Sequence, residues 1–209
     1  MHPNAQRLFA LDEALRGEAD EMLAASGIGA ILAEYGYQAV GSCVMRTMTW
    51  RDLDFHLTED PPSPGIKWDF GTRLAETGWC VRLQFEDFRP QRAPDLPKGL
   101  YWGARLVDPT RRDQVRCGSL ADIWKLDMWS GPPSVFADGV RRRDEWTPQL
   151  TEETRSYILA IKEAVCHDPE YRKTMLSIHI YEAVLEHSIR DIADFRRWWE
   201  VNARGATGG

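Results

Sequence analysis

The period of the apolar residues changes partway along this 209-residue chain, and that change limits the folds open to it. Up to about residue 130, apolar side chains return at every second position in short runs. Beyond about residue 145 they return every third or fourth. Period two marks strands with one covered face, and the longer period marks amphipathic helices. Strand-like runs fall at residues 35–40, 51–57, 79–88, 100–107 and 123–129. Turn formers punctuate them: Pro61-Pro62-Ser63-Pro64, Gly78, the Pro-rich stretch 89–98, and Ser130-Gly131-Pro132-Pro133.

Helical spacing appears first over residues 4–25, where Leu8, Leu11, Leu15, Ala19, Met22 and Leu23 recur on one face behind a capping Asn4. Gly27 and Gly29 break that run, a short helix follows at 30–34, and another covers 66–77. Three more are expected in the last third, over 151–167, 168–187 and 191–202. Thr151 can cap the first of them, and Glu152 and Glu153 suit its positive end. These elements predict an α+β fold, a small mixed sheet of about five strands with helices on one side, plus a C-terminal helical module. The expected division is residues 1–147 for the αβ domain with its N-terminal helix and 148–203 for the helical module. Residues 204–209, small and polar, are expected to form a disordered tail.

Charge narrows the function classes. Net charge is −6, and a dedicated nucleic-acid binder usually carries a basic balance. Arg111-Arg112 and Arg141-Arg142-Arg143 are local basic runs that read best as solvated surface. The four cysteines, Cys43, Cys80, Cys117 and Cys166, include no C-x-x-C pair, so neither a zinc site nor a disulfide framework is expected. No window approaches the ~20 apolar residues of a membrane span. The N-terminus has no apolar stretch of signal-peptide type, so a cytoplasmic location is expected.

Chemistry concentrates in one stretch. Val40-Gly41-Ser42 precedes Asp52-Leu53-Asp54-Phe55, with nine residues between Ser42 and Asp52. Residues two apart on a strand point the same way, so Asp52, Asp54 and His56 share a face. Two carboxylates ~4 Å apart repel by about 4 kcal/mol at an effective dielectric of 20. Such a pair is either splayed into solvent or neutralised, and oxygen donors with waters and phosphates suit Mg²⁺. A Gly-Ser turn entering a helix offers amides and a hydroxyl to an anion.

That combination resembles the signature of the nucleotidyltransferase superfamily, the DNA polymerase beta-like fold, in an uncharacterised bacterial branch. The family motif is an apolar residue, then Gly followed by Gly or Ser, a gap of this order, then Asp, apolar, acid, apolar. Residues 40–42 and 52–55 fill every position. The segments Gly99–Gly103 and Trp124–Trp129 are also similar to that branch, so the resemblance spans roughly residues 30–130. Arg51 departs from it, standing where many members have Ser or Thr.

The resemblance implies a third carboxylate on a later strand, and Asp127, within Trp124-Lys125-Leu126-Asp127-Met128-Trp129, is the best match. It implies that Asp52, Asp54 and Asp127 bind one or two Mg²⁺ ions and are catalytic. Gly41 and Ser42 would hold the β- and γ-phosphates of a nucleoside triphosphate such as ATP. The acceptor would be a hydroxyl on a small molecule, a protein or an RNA end, with pyrophosphate released. A non-catalytic nucleotide-binding or interaction protein on the same fold, and a metal-dependent phosphohydrolase, remain the competing classes. For Asp127 the structural alternative is an ion pair with Lys125. Arg82 and Glu86 read as a solvated strand face, and His179 and His187 have no third metal ligand in phase.

Overall fold

The computed structural model describes residues 1–59, 64–90, 96–114, 123–171 and 173–202. The loop expected around 60–63, Cys117 and the expected tail lie outside or mostly outside those residues. Two compact units make up the chain: Ala14–Arg141, and Met1–Glu13 together with everything from Arg142 onward.

The first unit is built on five strands: β1 (Gln38–Val40), β2 (Asp52–Thr58), β3 (Cys80–Asp87), β4 (Leu100–Leu106) and β5 (Trp124–Gly131). They lie in the order β1-β2-β5-β4-β3. Only the β2–β5 pair is parallel; β1 runs against β2, and β4 runs against both β5 and β3. The sheet is therefore mixed and the fold class α+β, as the pattern predicts. The last strand in sequence is the central one in space, slotted between β2 and β4.

Alternation decides which face is covered. Leu53, Phe55 and Leu57 of β2, Trp124, Leu126 and Met128 of β5, and Leu100, Trp102, Ala104 and Leu106 of β4 are all buried. Phe70 and Leu74 of α4 (Pro64–Glu76) are fully buried as well, and Phe70 meets Trp102 edge-on. On the other face Asp52, Asp54 and His56 of β2, Tyr101 and Arg105 of β4, and Lys125, Asp127 and Trp129 of β5 are half-buried.

Helix α1 (Ala5–Ser26) ends where Gly27 turns the chain into α2 (Ile28–Glu34). Gly29 lies inside α2 and does not break it. The expected strand at 35–40 shortens to β1 because Tyr35 and Gly36 close α2: the Gly36 amide bonds Ala33 O and the Tyr37 amide bonds Leu32 O. One four-residue turn of helix, α3 (Gly41–Val44), follows β1 at once.

A helix that the sequence pattern missed, α5 (Pro133–Trp146), follows β5. Its start signal was present, since Pro133 stands at the first helical position, where its fixed φ and missing amide cost nothing.

The second unit contains α6 (Glu152–Val165), α7 (Ser177–Leu185) and α8 (Ile192–Asn202). Thr151 caps α6, its hydroxyl accepting the Thr154 amide at 3.2 Å. Asp191 does the same for α8 through the Asp194 amide at 2.9 Å. Residues 168–176 do not begin α7 as expected. The Asp168 carboxylate takes the Glu170 amide at 3.0 Å, and a turn that closes on itself replaces the first helical turns. The core of this unit is Leu8, Ile158, Leu159, Ile161, Val165, Ile180, Val184, Phe195 and Trp199. No described helix is long and apolar enough to cross a membrane.

Candidate functional site

Parallel pairing of β2 with β5 sets four charged residues in a square. Asp52 stands opposite Lys125, and Asp54 opposite Asp127. All four belong to the half-buried face of their strands. Neighbouring strands lie ~4.8 Å apart and alternate residues ~6.6 Å apart, so three carboxylates and one ammonium share a small area.

Each acid that faces Lys125 is held by an aromatic donor on its other oxygen. Trp50 Nε1 donates to Asp52 Oδ2 at 3.3 Å, and the Tyr101 hydroxyl donates to Asp127 Oδ1 at 2.8 Å. The remaining oxygens face one another across Lys125. Its Nζ donates to Asp127 Oδ2 and lies 3.3 Å from Asp52 Oδ1. Asp52 Oδ1 is buried and has no hydrogen bond, although the ammonium is within ion-pair range. Burial pulls the Lys125 pKa down, but Asp52, Asp127 and Asp54 outweigh it and the net shift is upward. Burial first, and then the Asp127 charge, raise the Tyr101 phenol, which stays a neutral donor.

Two glycines make this packing feasible. Gly103 lies opposite Asp127 on β4, and a Cβ there would come within 2.5 Å of the Tyr101 hydroxyl. The Tyr101 ring therefore lies back over Gly103 to reach Asp127, with Trp129 at 4.9 Å beside it. Gly41 has φ +67, and a Cβ on it would stand 2.5 Å from Asp54 Oδ2. Positive φ is cheap for glycine alone, so the residue satisfies a turn and a close approach together.

The sequence-derived residues thus fall as follows. Asp52, Asp54 and Asp127 come together on one sheet face, and Gly41 abuts Asp54. Ser42 is the second residue of α3, half-buried. With four residues, α3 builds little macrodipole, so any hold on an anion there rests on local amides and the hydroxyl. The Lys125–Asp127 ion pair weighed as an alternative is present alongside the cluster.

Arg51 engages a different acid: its guanidinium forks onto Glu18 at 2.6 and 2.8 Å, where Trp124 Nε1 also donates at 3.2 Å. His56 shares the face of the acids but stacks on Phe136 at 4.3 Å, and burial lowers its pKa to about 4.

Sequence reasoning missed Tyr101 and Trp50. The signal for Tyr101 was the Tyr-x-Gly spacing in β4, legible only once Gly103 is known to face Asp127. The basic run on α5 is spent on neighbouring acids: Arg141 meets Asp138, Arg142 meets Glu182 and Arg143 meets Asp144. His187 has two acidic neighbours, Glu182 and Glu186, their ligand atoms lying within 4.8 Å, and His179 is not among them. Both are already engaged, Glu182 by Arg142 and Glu186 by the Trp146 indole at 2.8 Å.

Compared with protein-family models, with curated proteins and with solved structures, the chain finds no match. What can be said of its chemistry rests on the residues themselves.

Proposed function

We propose that this protein is a Mg²⁺-dependent nucleotidyltransferase, which moves a nucleoside monophosphate from a triphosphate to a hydroxyl acceptor and releases pyrophosphate. The observation that carries the reading is the register of β2 on β5, which sets Asp54 directly opposite Asp127 with Asp52 adjacent. Like charges placed opposite each other cost stability, so a scaffold has no reason to pair them unless a cation is to be held. The buried, unbonded Asp52 Oδ1 fits a metal ligand. Asp52, Asp54 and Asp127 would hold Mg²⁺, which when bound would polarise the α-phosphate and stabilise the entering and leaving oxygens. Asp127 would accept the acceptor's proton, with Tyr101 fixing its carboxylate plane. Gly41 and Ser42 would cradle the distal phosphates.

Melting with Mg²⁺ and each of ATP, CTP, GTP and UTP tests the binding step. A triphosphate at one hundred times its Kd adds about 2.7 kcal/mol. Pyrophosphate release in the presence of candidate hydroxyl acceptors tests the reaction. No shift with any triphosphate overturns the reading.

One observation favours a second reading, a non-catalytic nucleotide-binding or interaction protein: Lys125 already neutralises part of the cluster. In that case triphosphates would bind without pyrophosphate release.

A further inference from the structure

We propose that Lys125 is the resident cation of the carboxylate cluster, and that a divalent metal enters only by displacing its ammonium. The inference rests on the reading of Asp52, Asp54 and Asp127 as metal ligands given above.

The distribution of donors supports it. Asp52 and Asp127 each have one oxygen pinned by an aromatic donor, Trp50 and Tyr101 respectively. Their other oxygens, Asp52 Oδ1 and Asp127 Oδ2, both face the Lys125 Nζ. Those are the oxygens that Asp52 and Asp127 have left for a metal. A dication on them would lie within a few ångströms of Nζ, and two cations that close repel strongly in a half-buried site. The ammonium and the metal are therefore alternatives.

Lysine suits the role because its charge is compact and its four-carbon stem can swing. With the ammonium in place, Asp52 and Asp127 together still carry one more charge than it does, so their attraction for a metal is reduced but not abolished. A metal arriving with a polyphosphate brings the released ammonium a new anionic partner. A metal arriving alone does not. Lys125 thus makes metal binding tighter with the triphosphate than without it.

The test is Mn²⁺ binding by the full chain, followed by calorimetry or spin resonance, for wild type, Lys125→Met and Lys125→Arg. Without nucleotide, Lys125→Met is expected to bind Mn²⁺ at least tenfold more tightly than wild type, and Lys125→Arg no more tightly. Adding Asp52→Asn to Lys125→Met should return the affinity to the wild-type level. A non-hydrolysable ATP analogue should tighten Mn²⁺ binding to wild type and narrow the gap.

Equal affinity of wild type and Lys125→Met overturns the proposal, and so does a gain that survives Asp52→Asn. If Lys125→Met is poorly folded without metal, its melting temperature should rise with Mn²⁺ by more than that of wild type. The absence of such a rise also counts against the proposal. The two readings fail separately. A Lys125→Met gain in a protein that binds no triphosphate would remove the transferase and leave the resident cation standing.

Discussion

In the helical unit, Asp12 is 1% exposed and lies 3.6 Å from Arg155, whose guanidinium also covers the Phe9 ring. Nearby, Arg7 forks onto Glu163, and Arg196 reaches Asp168 at 2.9 Å. Each of these acids has a cation of its own. On the polar face of the sheet, Asp52 and Asp127 share the ammonium of Lys125, and Asp54 stands opposite Asp127. Burying charge costs free energy unless it is compensated, so balanced pairs are what a scaffold needs. Here two carboxylates, fixed by backbone register and each held by an indole or phenol donor, divide one ammonium between them. The lesson is to count charges within a patch, not acids alone.

The contrast predicts opposite responses to the same chemical change. Asp12→Asn should cost about 3 kcal/mol, because it leaves Arg155 in a confined setting without its counter-charge. Denaturant unfolding would measure it. A cost below about 1 kcal/mol would erase the distinction between the two regions.

Gly41→Ala comes next. It forces a side chain into the left-handed region at φ +67 and within 2.5 Å of Asp54 Oδ2. The expected cost is about 1–2 kcal/mol of stability, together with loss of any melting response to Mg²⁺ and triphosphate. If stability falls and the ligand response persists, Gly41 serves only the turn.

His56 supplies a pH test of the sheet unit. Burial holds its pKa at about 4 in the folded chain, whereas an unfolded histidine titrates near ~6.5. Between those values the unfolded chain binds the proton and the folded one does not, so stability falls as pH drops through that window. Allowing for partial exposure, the loss is on the order of 1–2 kcal/mol. His56→Phe, which keeps the stack on Phe136, should flatten that part of the stability–pH curve.

The smallest effect is the most telling. Asp54→Asn removes a charge that faces Asp127 across the β2–β5 pair. Without metal it should be neutral or stabilising by up to about 1 kcal/mol, the reverse of Asp12→Asn. It should also abolish metal-dependent stabilisation. A loss of several kcal/mol would make Asp54 a structural anchor.

Much of the first unit was legible along the chain. Alternation in 52–57, 100–106 and 124–129 marks both the strands and the face each one buries, because strand side chains alternate whatever lies beside them. Asp52 and Asp54 were visible as a pair for the same reason. Other features depended on distant partners. The chain leaves β2 and builds α4, β3 and β4 before β5 returns to pair with it, so nothing local announces that Asp127 will face Asp54. The helix start expected at 168 gave way to a side-chain turn, and α5 was hidden behind a run of Pro and polar residues.

Amino-acid order alone determined the α+β class, the approximate extents of most elements and the acid pair, since these follow from periodicity and capping between near neighbours. Tertiary structure alone decided the strand order and the Asp54–Asp127 register. It also decided the lean of Tyr101 over Gly103 and the position of Lys125 between two carboxylates. Each of these depends on hydrogen bonding and packing between segments far apart in the chain. Such contacts are selected by the free energy of the whole sheet, and no short window of residues encodes them.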